Sequence, residues 1–115
     1  MDSIAFYRKL PDTKLAQALG VQYVRSSTSV NSNYRAARRA RSTKEFIAKL
    51  GNVVEEADEA LEWLNVLHHA KIAHDSALLS EANQLCAIFT AALKTAKKNQ
   101  KKRRNGDDEL GNTGL

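Results

Sequence analysis

Apolar positions recur at spacings of three and four along most of the chain, the period of helices that each bury one side. Sustained alternation of β-branched and polar residues, the strand signal, is absent from the sequence. Asp2 to Leu10 carries Ile4, Phe6, Tyr7 and Leu10 and predicts a short helix, too short to be stable alone in water. Pro11 ends it, and Asp12 or Thr13 can cap the next helix. This second helix is predicted from about Thr13 to about Ala40, with an inward stripe of Leu15, Leu19, Gln22, Ser26, Val30, Asn33 and Ala37. Its middle, SSTSVNSN, has weak helix propensity because Ser, Thr and Asn side chains compete for backbone groups. A bend or irregular turn is expected there, and a buried Asn33 would need a partner.

The third helix has the clearest start. Ser42 and Glu45 form a capping box, S-x-x-E, in which the Ser42 hydroxyl accepts from the Glu45 amide. Phe46, Leu50, Val53, Val54, Ala57, Leu61, Leu64 and Leu67 then make a heptad-like stripe to about His69. Gly51 inside it reads either as close contact with another backbone or as an exposed position. After a connection over Lys71 to His74, Asp75 or Ser76 caps a fourth helix. Its stripe is Leu78, Ala82, Leu85, Phe89, Ala92 and Ala96, widened by Ile88 and Leu93, and its end is expected near Asn99 or in the basic run beyond.

Short connections between long helices predict an all-α fold, an antiparallel up-down four-helix bundle with a shortened first helix. One domain is expected over 1–104, and residues 105–115 are expected to form a disordered C-terminal tail. A stub cannot cover the groove left by three long helices, so a homo-oligomer is expected, a second copy of the chain being the simplest cover.

Composition adds a direction. The 115 residues carry a formal net charge of +5, which favours polyanions as partners. A single cysteine, Cys86, excludes an internal disulfide and suits a reducing compartment. Asp2, Arg8 and Lys9 do not fit a signal peptide, and no apolar run is long enough to cross a membrane. The expected setting is therefore cytoplasmic, without membrane contact.

Enzyme chemistry finds little support in the sequence. A di-iron bundle needs Glu-x-x-His pairs, but Glu62 has Asn65 at that spacing and the fourth helix offers only Glu81. His68, His69 and His74 lack a second ligand set, so no metal site and no cofactor are expected. Cys86 flanks a core stripe and reads as a buried structural thiol. The serines and threonines of Ser26 to Ser32 lack a nucleophile elbow, and no glycine-rich phosphate loop occurs.

Two basic features remain. Arg35, Arg38, Arg39 and Arg41 follow Arg25, with the first three stacked on one helix face at spacings that repel. They could be answered by Glu55, Glu56, Asp58 and Glu59 of the next helix, or by the phosphates of a polyanion. Lys94, Lys97, Lys98, Lys101, Lys102, Arg103 and Arg104 follow with no acid between them and read as a flexible polyanion-binding arm. Aromatic residues do not interleave with them, so contact with RNA or DNA would be led by phosphates and weak in sequence preference. The competing reading is a scaffold that docks a protein partner, with the arginines held in ion pairs.

The segments SSTSVNSNYRAARRARSTKEFIAKL, EEADEALEWL and AIFTAALKTAKKN together resemble a known family. It is that of the small four-helix-bundle proteins encoded in intervening sequences of bacterial large-subunit ribosomal RNA genes. The likeness covers roughly Leu10 to Asn99 and is carried by Ser27 to Ala37, Lys44 to Leu50 and Glu56 to Leu64. It implies an antiparallel bundle assembled as a ring-like homopentamer, with no enzymatic activity. The family is also similar to accessory proteins of diversity-generating retroelements, basic pentameric bundles that bind nucleic acid and a reverse transcriptase. Its motif residues correspond to Asn33, Arg35 and Glu56, which the resemblance implies are structural contacts. The chain departs from the family at the front, where the first helix before Pro11 is short.

Overall fold

The computed structural model describes residues 2–113, with side chains described for 2–106. The elements run α1 (Ser3–Arg8), α2 (Lys14–Arg38), α3 (Thr43–His69) and α4 (Ser76–Thr113). They form an antiparallel four-helix bundle with a short first helix, drawn out to 70 × 21 × 18 Å. α3 is the central helix and packs along both α2 and α4, while α1 packs on α2.

Each helix begins at a side-chain cap. Asp2 accepts from the Ala5 amide at 3.2 Å, Thr13 from Ala16 at 3.1 Å, Ser42 from Glu45 at 3.0 Å and Asp75 from Leu78 at 3.0 Å. Thr13 and Asp75 are thus the caps chosen from the two predicted pairs. Between α3 and α4 the chain turns through Lys71, whose φ of 58° is the left-handed conformation that commonly ends helices. The amides of Ile72 and Ala73 both close on the Leu67 carbonyl, at 3.0 and 3.3 Å.

The expected irregularity in α2 does not occur; the helix is continuous across SSTSVNSN. The hydroxyls there fold back onto the preceding turn instead of breaking it. Ser26 donates to the Gln22 carbonyl at 3.0 Å, and Ser27 and Thr28 donate to Val24 at 3.1 and 2.8 Å. Ser26 and Ser27 are the buried polar residues of this helix, whereas Asn33 is only half-buried.

The predicted stripe of α2 is also rotated. Leu15 is 61% exposed, and Ala16, Gly20 and Tyr23 face inward. The cause is α1, which adds a second packing direction. Phe6 and Leu10 join Tyr23, Ala60, Leu64, Leu67, Leu78 and Ala82 in one core cluster. Phe6 and Tyr23 meet edge to face with ring centroids 5.5 Å apart, a pairing worth about 1 kcal/mol beyond its buried area. Tyr7 donates to Gln17 at 2.6 Å, and Gln17 in turn donates to the Pro11 carbonyl at 3.2 Å, tying α1 to α2. A second cluster of Val30, Leu50, Val53, Ala57 and Cys86 occupies the other half of the bundle, with Phe46, Phe89 and Leu93 around it.

On α4 the stripe is likewise displaced. Cys86 is buried, while Ile88 is 60% exposed and Ala92 lies on the surface. Burial lifts the Cys86 thiol to about 11, with Asp58 adding to the effect, so it is protonated and unreactive at neutral pH. The helix does not stop near Asn99. Lys, Gln and Arg are good helix formers and carry the helix through the basic run, and the backbone stays helical to Thr113 across Gly106 and Gly111. The tail expected over 105–115 runs past the described residues.

Two glycines should respond oppositely to alanine. A Cβ at Gly20 would collide with Leu10 Cδ1 and lie 2.8 Å from Tyr7 Cδ2, whereas one at Gly51 would meet nothing within 4 Å. Gly20→Ala should lower stability by about 1–3 kcal/mol by displacing α1, and Gly51→Ala should raise it by up to about 1 kcal/mol. Urea midpoints of the two variants against the parent check both signs.

Candidate nucleic-acid interface

The two basic features lie at one end of the bundle, because α2 ends where α3 begins and α4 returns alongside. Arg35, Arg38 and Arg39 project from the last turns of α2 and are all exposed. At 3.6 residues per turn Arg35 and Arg39 fall on the side away from Tyr23 and Val30, and Arg38 lies on the flank between. Thr28, Asn31 and Ser32 extend the same face, and a shallow recess of about 450 Å3 runs between these residues and Arg35 and Arg39. A neighbouring recess of about 330 Å3 is lined by Arg35, Arg38 and Arg39 alone.

The acids of α3 do not answer this cluster. Among the described residues the ion pair is Arg25 Nη2 to Glu59 Oε1 at 3.4 Å, and Arg35, Arg38, Arg39 and Arg41 make none. Register is the reason. With Arg25 level with Glu59, Arg35 lies roughly 15 Å further along α2, a distance set by 1.5 Å per residue. In an antiparallel pair that brings it beside the first turns of α3, where Lys44, Glu45 and Lys49 stand, and Glu45 makes no ion pair with it. Glu55, Glu56 and Asp58 lie level with the serine-rich stretch instead. The Arg25–Glu59 pair itself is exposed, 66% and 36% by side chain, and contributes little. Glu59 also accepts from Trp63 Nε1 at 3.3 Å.

The lysine run is a helix and not a loose arm. Lys94, Lys97, Lys98, Lys101, Lys102 and Arg104 are exposed, and helical spacing gathers them on one face of α4. Arg103 falls on the reverse side and reaches α3, where its Nη1 donates to Thr43 Oγ1 at 3.3 Å. Arg41, in the turn between α2 and α3, lines the same space as Arg103, a cavity of about 490 Å3. The structure thus divides the predicted cations into an arginine ridge on α2, a lysine ridge on α4 and a pair, Arg41 and Arg103, between them.

At the opposite end the histidines assemble in a way their sequence positions did not suggest. His68 and His74 lie against each other across the α3–α4 turn, with ring centroids 3.9 Å apart and planes tilted by 34°, and His69 Nδ1 sits 2.7 Å from the Asn65 carbonyl oxygen. No group of three His, Cys, Asp or Glu side chains among the described residues is placed to hold a metal ion. No helix among them is long and apolar enough to cross a membrane. Comparison with known proteins found no matching family model, curated protein or solved structure.

The arginine ridge should be dispensable for folding. Replacing Arg35, Arg38 and Arg39 together by glutamine relieves repulsion at i,i+3 and i,i+4 but loses favourable cations at a helix C-terminus. These effects oppose each other, so stability in urea should stay within about 1 kcal/mol of the parent. A loss of several kcal/mol would mean that the arginines hold the bundle together.

Proposed function

We propose that this protein is a non-enzymatic helical bundle that binds RNA or DNA through its basic end. The observation that carries the reading is the set of exposed arginines on α2 with no ion pair among the described residues. Stacked like charges are unfavourable for the isolated protein, and a polyanion removes that penalty. The lysine ridge of α4 stands at the same end and supplies a second row of phosphate contacts. Neither row carries an interleaved aromatic residue, which favours backbone contact over base reading. The cytoplasm, where Cys86 would stay reduced, suits such a role.

A second reading, self-association or docking of a protein partner, is favoured by a different observation. Above α1 the groove between α2 and α4 is bridged by the contact of Tyr34 with Phe89, 5.5 Å between ring centroids. Beside it Leu85, Ile88 and Ala92 form an apolar strip on α4, with Ile88 60% exposed. A second copy of the chain would cover that strip, and the resemblance to ring-forming bundles makes a pentamer the expected size. The two readings are compatible, since the strip and the ridges use different faces.

Titration of labelled duplex DNA and RNA by fluorescence anisotropy at two salt concentrations tests the first. Replacing Arg35, Arg38 and Arg39 by glutamine should weaken binding to all sequences alike and reduce the salt slope by about 3, one for each lost phosphate contact. Absence of binding at low salt would refute the proposal. Light scattering tests the second: the parent should exceed the mass of one chain at micromolar concentration, and Ile88→Lys should shift it toward the monomer.

A further inference from the structure

The open recess at the basic end is lined from the α2–α3 turn, α3 and α4 together, unlike those along the arginine ridge. It is a recess of about 490 Å3 between the α2–α3 turn and α4, within the usual range for small-ligand sites. Two arginines from separate elements line it, Arg41 from the turn and Arg103 from α4, and none of its lining residues is acidic. Arg103 is the one cation of the lysine-rich run that the helix turns toward α3, where it donates to Thr43 Oγ1 at 3.3 Å. The side-chain amides of Asn99 and Gln100 edge the recess, and half-buried Phe46 gives it an apolar wall.

We propose that this cavity binds the phosphate monoester of a nucleotide, with Arg41 and Arg103 on the phosphate and the nucleoside against Phe46. Charge selects the monoester. A terminal phosphate carries about −1.5 to −2 at neutral pH, which two guanidinium groups match, whereas a diester within a strand carries a single charge. Planar guanidinium forks also pair with phosphate oxygens in a bidentate way. The amides provide donors and acceptors for a sugar or base edge, and the phenyl face provides a surface for stacking. The phosphate could belong to a free mononucleotide or to the end of a strand; the second source rests on the nucleic-acid reading above.

Isothermal titration with adenosine 5′-monophosphate and with adenosine compares ligands that differ only in the phosphate. Anisotropy with one oligonucleotide bearing a 5′-phosphate or a 5′-hydroxyl asks the same question of a strand end. A preference for the phosphorylated member of at least about tenfold is expected in one pair or both, since charged hydrogen bonds are worth roughly 1.5–3 kcal/mol. Preference in the first pair alone identifies a free nucleotide, and in the second alone a strand end. Arg103→Gln and Arg41→Gln, both surface changes that leave the Ser42 cap intact, should each abolish the preference, while the Arg35, Arg38 and Arg39 variant should keep it. Equal binding within both pairs, or a preference unaffected by either substitution, overturns the proposal. If oligonucleotides bind with no preference in either pair, the cavity's role falls and that of the ridges stands. If the monophosphate is preferred and no oligonucleotide binds, the cavity's role stands and that of the ridges falls.

Discussion

The antiparallel register of α2 against α3 decides which charges of this bundle meet. The connection is short: α2 is capped by Arg39 and α3 by Ser42, so the two helices leave the turn almost level. Two straight helices that start level stay in step at 1.5 Å per residue. Arg25 therefore finds Glu59, while the arginines at the end of α2 lie level with the start of α3, where Glu45 is the one acid between Lys44 and Lys49. The charge asymmetry of the particle is thus a consequence of turn length and not of composition alone.

A second constraint is the shortness of α1. Six helical residues can fill only one half of the groove between α2 and α4, and they do so with Phe6 and Leu10 against Tyr23. This small element commands close fitting: Gly20 is the point where α2 lets Tyr7 and Leu10 approach, and Tyr23 is wholly buried. Burial also raises the Tyr23 phenol above its usual range, so it remains neutral in the core. The other half of the groove keeps an apolar strip at its edge, formed by Leu85, Ile88 and Ala92.

The third consequence belongs to α4. With 38 residues against 27 in α3, it is the longest helix, and its run past Asn99 keeps the cations in a fixed order. A helix sorts a run of like residues by face. Lys94, Lys97, Lys98, Lys101 and Lys102 are held outward, and Arg103 is turned in to Thr43. A disordered arm of the same composition would have offered charge without position, and the cavity shared with Arg41 would not exist.

The sequence by itself determined the helices, their starts and their order. The Ser42 cap, the capping pairs Asp12 or Thr13 and Asp75 or Ser76, and spacings of three and four are local signals, and local geometry translates them to within a residue. It also named the cations of both ridges, because charge is a property of the residue, though not Lys44 and Lys49, which join them only through the antiparallel register. Left undecided were how far each helix is turned about its axis and which residues stand level. Leu15 lies outside and Tyr23 inside because α1 packs on α2, a contact between segments that no single-helix period contains. The serine-rich stretch stays helical because its hydroxyls bond to the turn behind them once the helix is packed. Pairing of Arg25 with Glu59, the contact of His68 with His74 and the placement of Arg41 and Arg103 around one recess depend on distances across the bundle, which only the assembled tertiary structure fixes.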